Sequence, residues 1–251
     1  MEYEKDGYSS HISQQFNEDL EQIRTELLTM GGLVERQVQD SIEALLNSDS
    51  ELAERSLRGD KQTNDMELLI DEHCTRIIAR RQPAAGDLRM IMAISRAVVD
   101  LERIGDEATR ISRQAIELVK GGESPRGYQE VRHIGNLVRA MVRDVLTAFA
   151  RSDIHLAYQV AKQDKAVDQE YRSAMRSLAT YMMEDPRAIS SVLNVIWVLR
   201  SLERIGDHVC NLAEHLVYLV SGTDVRHQSL QEMRRTVREE TDTPDEGDDD
   251  A

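Results

Sequence analysis

The hexapeptide Leu-Glu-Arg-Ile-Gly-Asp occurs twice without a change, at 101–106 and at 202–207, which constrains the chain to fold as two related halves. Read as helix, each copy stacks two carboxylates one turn apart on one face, Glu102 with Asp106 and Glu203 with Asp207. Like charges at that spacing cost an isolated helix about 0.2–0.5 kcal/mol, so keeping them twice calls for a compensating cause. A bound cation would supply one.

The duplication extends beyond the hexapeptide. A shift of 104 residues superposes Leu33-Val34 on Leu137-Val138, Asp40 on Asp144, Ser48-Asp49 on Ser152-Asp153 and Asp60-Lys61 on Asp164-Lys165, with eleven identities over 29 positions. Apolar residues recur every three or four positions from Phe16 through Leu20, Ile23, Leu27, Met30, Val34, Val38 and Ile42 to Leu45, predicting one long amphipathic helix from about Ile12. Gly31 and Gly32 interrupt it without breaking phase, which marks a bend or a close approach. A Ser-Asp turn precedes a second helix near 51–81. Pro83 to Asp87 makes the next turn, with Asp87 as N-cap of a third helix over 88–119.

The pattern then restarts. Helix four follows a linker at 121–127, helix five spans about 154–183, and Asp185-Pro186 caps helix six, which runs to about 220. The expected fold is all-α: two tandem three-helix bundles of six long helices, at 11–120 and 128–222, after an N-terminal arm at 1–10. The segment 223–251 is acidic and without apolar periodicity after Met233, so no order is expected in it. Trp197, Tyr171 and Tyr181 fall at helical spacing and read as core residues.

The formal charge of −15 is uneven, because eight of the acids lie from Glu239 onward with no base among them. An acidic chain without a basic stripe excludes nucleic acid as a ligand class and is repelled by anionic lipid. Met1 to Ser10 carries no signal-peptide pattern and no apolar run reaches the roughly 18 residues that span a bilayer, so a cytoplasmic protein is expected. Cys74 and Cys210 fall at non-equivalent places of the two halves, and read as free buried thiols.

Acids recur from all three helices of each half. Besides the clamp pairs Glu102/Asp106 and Glu203/Asp207 there are Asp60 in the first half and Asp164 and Asp168 in the second, with Asn64 standing where Asp168 has its counterpart. Carboxylates without histidine or thiol make a hard oxygen site suited to Mg, Mn or Fe, with Zn a less natural fit. The bland reading pairs the same acids with Arg103, Arg204, Lys61 or Lys165 as surface salt bridges worth about 0–1 kcal/mol. Asp40 and Asp144 need no metal, since a polar residue facing a gap between helices explains them. Gly105 and Gly206 read as close helix packing.

No catalytic pattern is present. Acid-x-x-His occurs at Glu130/His133 and Asp224/His227, outside the repeat that a di-iron bundle would require, and no phosphate loop or partnered nucleophile appears. His73, His208 and His215 carry no repeated metal spacing and are assigned no function.

These features resemble the PhoU family of phosphate-specific transport accessory proteins. The resemblance rests on the duplicated Glu-x-x-x-Asp clamp, the Asp164-x-x-x-Asp168 run and local strings such as Asp-Lys-Gln-Thr-Asn (60–64), Arg-Ile-Ile-Ala-Arg-Arg-Gln-Pro (76–83), Thr-Tyr-Met-Met-Glu-Asp (180–185) and Asp-Val-Arg-His (224–227). It implies a cytoplasmic, homodimeric, non-enzymatic negative regulator of the phosphate-starvation response. Such a protein links the ATPase subunit of the phosphate ABC transporter to a sensor histidine kinase, and meets the membrane only through those partners. It also implies metal at Glu102, Asp106, Glu203, Asp207, Asp164 and Asp168, with Asn64 weakening the first site. Two readings of another class stay open on residues alone, a structural spacer and a di-iron ferritin-like protein.

Overall fold

The computed structural model describes residues 5–121 and 127–241. The first bundle comprises α1 (Lys5–Asn47), α2 (Ser50–Arg81) and α3 (Ala85–Gly121), and the second α4 (Tyr128–Arg151), α5 (Ile154–Glu184) and α6 (Ile189–Ser221). A short α7 (Leu230–Thr241) follows, and no strand occurs among the described residues. Within each bundle every helix packs on the other two. This is the all-α pair of tandem three-helix bundles that the repeat predicts. α1 starts before Ile12, inside the stretch expected as an arm, and residues 122–126 of the expected linker lie outside the described residues.

Two seams join the halves, α3 on α6 and α1 on α4, and the apolar core is continuous across both. The stripes explain it: Ile23, Met30, Ile42, Ile94, Leu101, Ile104, Ile134 and Met141 are all fully buried, each contributing about 1.5–3 kcal/mol relative to exposure. α3 and α6 run antiparallel across the seam. Arg89 lies beside Gly222, Asp100 bonds His208 and Glu107 pairs with Arg204, so numbers rise on one helix as they fall on the other. Gly31 is a close approach: a Cβ there would collide with the side chain of Leu146 on α4.

Local chemistry sets the helix ends in duplicate. Asp49 caps α2 by accepting from the Leu52 amide, and Asp153 caps α5 by accepting from the Leu156 amide, both at 2.9 Å. Asp185 accepts from the Arg187 amide over a single 3₁₀ turn, Pro186–Ala188, that leads into α6. Gly222 ends α6 in the left-handed region at φ 76. α3 begins ahead of Asp87, which therefore lies in its first turn rather than at its cap.

The chain departs from the sequence reading at two places. Residues Leu230–Thr241, expected to lack order, form a helix because Ser229 and Glu232 make a capping box, the Glu232 carboxylate accepting from the Ser229 amide at 2.8 Å and hydroxyl at 2.9 Å. Met233 and Val237, one turn apart, are buried where α7 packs on α5 and α6. Trp197, read as core, is 60% exposed. Its partner stripe, Val195, Val198, Leu199 and Leu202, takes the buried face of α6 and leaves the indole on the opposite side.

Candidate functional site: two acidic clusters

In the second bundle, α5 contributes Asp164 and Asp168 and α6 contributes Glu203 and Asp207, and the four carboxylates form one cluster. Burial and then the neighbouring charges of Asp207, Asp168 and Glu203 push the Asp164 carboxyl up to about 6. Burial, then Asp207, raises Glu203, and burial, then Asp168, raises Asp207. Arg200 donates to Glu203 Oε1 at 2.8 Å, while Oε2 of the same carboxylate is buried with no hydrogen-bond partner. Asp168 is held by Arg172 at 3.1 Å.

Gly206 makes the approach possible. A Cβ at that position would lie 2.9 Å from Asp164 Oδ1, so glycine in the hexapeptide lets the carboxylate rest against the backbone of α6. The counterpart Gly105 receives Gln37 Oε1 and the Thr63 methyl, whose contacts with a Cβ would be 3.2 and 3.4 Å. Both glycines therefore serve close helix packing.

In the first bundle, Asp60 and Glu67 of α2 face Glu102 and Asp106 of α3. Burial, then Asp106, raises Glu102, with Glu67 and Asp60 adding to it, and burial, then Asp71, raises Glu67. Arg103 lies 3.4 Å from Glu102 and 3.7 Å from Asp106, which is the salt-bridge arrangement the bland reading describes. Arg204 behaves differently: it crosses the seam to Glu107 on α3 at 3.1 Å, and Arg200 is the arginine that bonds Glu203. Asn64 extends toward Asp60 at 3.5 Å. Asp144 is paired with Arg143, and Asp40 is raised by burial and then Glu43, so neither joins a cluster.

The two cores behind the clusters differ in chemistry. Gln37 Nε2 donates to Thr109 Oγ1 at 2.9 Å and to the Gly105 carbonyl, Thr109 donates to Asp60 at 3.1 Å, and Ser112 donates to Ser56 at 3.0 Å. The repeat places Met141, Cys210, Ala213 and Val160 at the matching positions of the second bundle. There Asp164 has a thiol, Cys210, where Asp60 has the Thr109 hydroxyl. Cys210 and Cys74 are both free, and burial pushes the Cys74 thiol up to about 12.

Residue-by-residue reading of the sequence missed the seam itself. His208 Nδ1, Asn211 Nδ2 and His215 Nε2 converge on Asp100 at 2.8, 2.9 and 2.9 Å. Burial opposes ionisation of Asp100, but these three donors outweigh it and hold the carboxyl down at about 2. The helical spacing of His208, Asn211 and His215 was visible as one face of α6; only the packing of α3 supplied their common acceptor. His73 bonds Glu26 at 2.8 Å, and His133 is exposed, facing Glu170 at 3.8 Å.

The cluster donors suit a hard cation: all are carboxylate oxygens, crowded and partly desolvated, with one buried oxygen unpartnered. Among the described residues no three His, Cys, Asp or Glu side chains are already gathered at coordinating geometry. No described helix is long and apolar enough to cross a membrane.

Comparison with known proteins places these features in a family. The PhoU domain model matches residues 27–115 and 131–216, one copy per bundle. A phosphate-specific transport system accessory protein PhoU homologue from Pseudomonas putida is 59% identical over 98% of both chains. The corresponding PhoU protein of Escherichia coli (strain K12) is 49% identical over 91% of this chain and 95% of its own. The crystal structure of PhoU from Pseudomonas aeruginosa superposes with a TM-score of 0.81 at 62% identity, covering 83% of this chain and all of that one. The chain belongs to the PhoU family, and is an accessory protein of a phosphate transport system.

Proposed function

We propose that this protein is a cytoplasmic negative regulator of the phosphate-starvation response. It acts as a homodimeric, non-enzymatic adaptor between the ATPase subunit of the phosphate ABC transporter and its sensor histidine kinase, and modulates phosphate uptake. The observation that carries the reading is the family match over both bundles, with relatives named as transport accessory proteins. Long helices with exposed faces supply the surface an adaptor requires. A crosslinked pull-down of tagged protein from phosphate-replete cells, identified by mass spectrometry, is the test. Recovery of the transporter ATPase or the kinase is expected, and recovery of neither would overturn the adaptor role.

The acidic clusters extend the proposal to a divalent or trivalent cation, Mg, Mn, Zn or Fe. Asp164, Asp168, Glu203 and Asp207 would hold it in the second bundle, and Asp60, Glu102 and Asp106 in the first. The unpartnered Glu203 oxygen and the raised Asp164 carboxyl support the second cluster as the stronger. A cation there would neutralise mutual repulsion and draw α5 toward α6, giving the bundle a set surface. In the first bundle Arg103 and Asn64 already answer part of the negative charge.

A further inference from the structure

Four helices, two from each bundle, enclose a small apolar cavity of about 130 Å³. Leu27 of α1, Ile94 of α3 and Phe149 of α4 are buried around it, Leu219 of α6 is half-buried, and Arg24 and Ser152 border it on the solvent side. The repeat offers a comparison. At the matching positions stand Val131, Val195, Leu45 and Leu118, all buried, with Ser48 in place of Ser152 and Tyr128 in place of Arg24. There the Tyr128 ring packs on the core and its hydroxyl meets Ser48. Ser48 and Ser152 both take φ 53 just past the ends of α1 and α4, so the two hydroxyls are carried by the same backbone geometry. Arg24 does not replace the ring. Its Nη2 atom donates to the Ala150 carbonyl at 2.9 Å, which commits the guanidinium to the end of α4 and leaves a ring-sized space behind it. Apolar cavities of about 150 Å³ hold a benzene ring.

We propose that this cavity is a binding site for a free monocyclic phenol, which takes the place that the Tyr128 side chain fills in the other half. The apolar wall of Leu27, Ile94, Phe149 and Leu219 accepts the ring, and Ser152 meets the phenol hydroxyl as Ser48 meets that of Tyr128. Size limits the ligand to one ring. A hydroxyl leaving water needs a partner, so Ser152 makes the site prefer a phenol to a bare hydrocarbon ring. The wall is shared by α1, α3, α4 and α6, and a bound ring would therefore brace both seams at once. Neither the adaptor role nor the acidic clusters enter this inference.

The full-length protein, labelled at its Leu, Ile and Val methyl groups, is titrated with phenol and with benzene and followed by methyl NMR. Expected for phenol are saturable shifts centred on the methyls of Leu27, Ile94 and Leu219, with benzene bound about three- to tenfold more weakly. Arg24→Tyr installs the residue of the other half, and should fill the cavity and abolish phenol binding. Ser152→Gly suits the left-handed backbone at that position and removes only the hydroxyl. It should weaken phenol by about three- to tenfold and leave benzene unchanged, which keeps the test decisive even if Arg24→Tyr does not fold. No saturation at millimolar phenol, or shifts scattered over the surface, would overturn the proposal. So would equal binding of phenol and benzene, phenol binding undiminished by Ser152→Gly, or phenol binding retained in a folded Arg24→Tyr chain.

Discussion

His215 of α6 and Asp100 of α3 are joined by a 2.9 Å hydrogen bond across the seam of the two bundles, and the Nδ1 atom of the same imidazole is buried without a partner. Asp100 therefore acts as the hub of the seam, accepting also from His208 and Asn211. Asp100→Ala should lower stability by about 2–4 kcal/mol, because buried His215 and half-buried His208 and Asn211 all lose their acceptor. Thermal unfolding at neutral pH checks it, with a drop in Tm of roughly 5–15 °C expected for a chain of this size. A drop under about 2 °C would mean that the seam is held by apolar packing alone.

Acid should expose the same hub. The Asp100 carboxyl titrates at about 2 in the folded chain against an ordinary 3.8. Its contribution is fully present above pH 4 and is lost as pH falls from there through 2, amounting to about 2 kcal/mol. Denaturant midpoints between pH 5 and pH 2 should fall less in Asp100→Asn than in the parent chain.

Asp164 has the opposite sign. Its carboxyl is pushed up to about 6, so the folded chain binds a proton that the unfolded chain does not, and the penalty of its charge is greatest above pH 6. Without added metal, stability should rise as pH falls from 7 through 6, by about 1 kcal/mol once partial exposure is discounted. Asp164→Asn should remove that slope and stabilise the chain at pH 7. A flat profile in the parent would show that the cluster carries no strain.

Cation binding would reverse the penalty. A cation at 100 times its dissociation constant adds about 2.7 kcal/mol, or roughly 5–10 °C in Tm. Glu203→Gln should abolish most of that gain and Glu102→Gln less of it. Identical melts in chelator and in Mn²⁺, Mg²⁺, Zn²⁺ and Fe²⁺ would dispose of the metal reading.

Adjacent glycines of α1 should respond differently to alanine. At Gly32 nothing lies within 4 Å of the place a methyl group would take, so Gly32→Ala should stabilise by about 0.5–1 kcal/mol through helix propensity. Gly31→Ala would first have to displace the Leu146 methyl groups of α4, so it should gain less than Gly32→Ala or nothing. Paired denaturant titrations decide it, and equal shifts of the same sign would refute the close approach of α1 and α4.

The polar core of the first bundle makes a last contrast. Gln37→Met copies the residue of the second bundle at Met141, yet leaves Thr63 and Thr109 without their amide partner. A loss of about 1–3 kcal/mol is expected. Combining it with Thr63→Val, Thr109→Cys, Ser56→Val and Ser112→Ala, the other second-bundle residues at these positions, should recover most of it, and failure to recover would locate the cost in packing volume instead.

Periodicity, caps and duplication made the helices and their pairing into bundles readable from residues alone, because stripes such as Leu20 to Leu45 and caps such as Asp49 and Asp153 act within a turn or two of chain. The clamp acids were readable for the same reason, since an i, i+4 pair is fixed by the helix that carries it. Tertiary structure decided what lies across the gaps between helices. It turned Arg204 away from its clamp to Glu107, gave His208 and His215 a shared acceptor in Asp100, placed Asp164 against Gly206, and left Trp197 in solvent. The helix after Ser229 escaped because two buried residues, Met233 and Val237, are too few to register as a stripe until α5 and α6 offer a surface for them. Which side of a helix faces a partner depends on contacts between residues far apart in the chain. Local spacing carries no record of them.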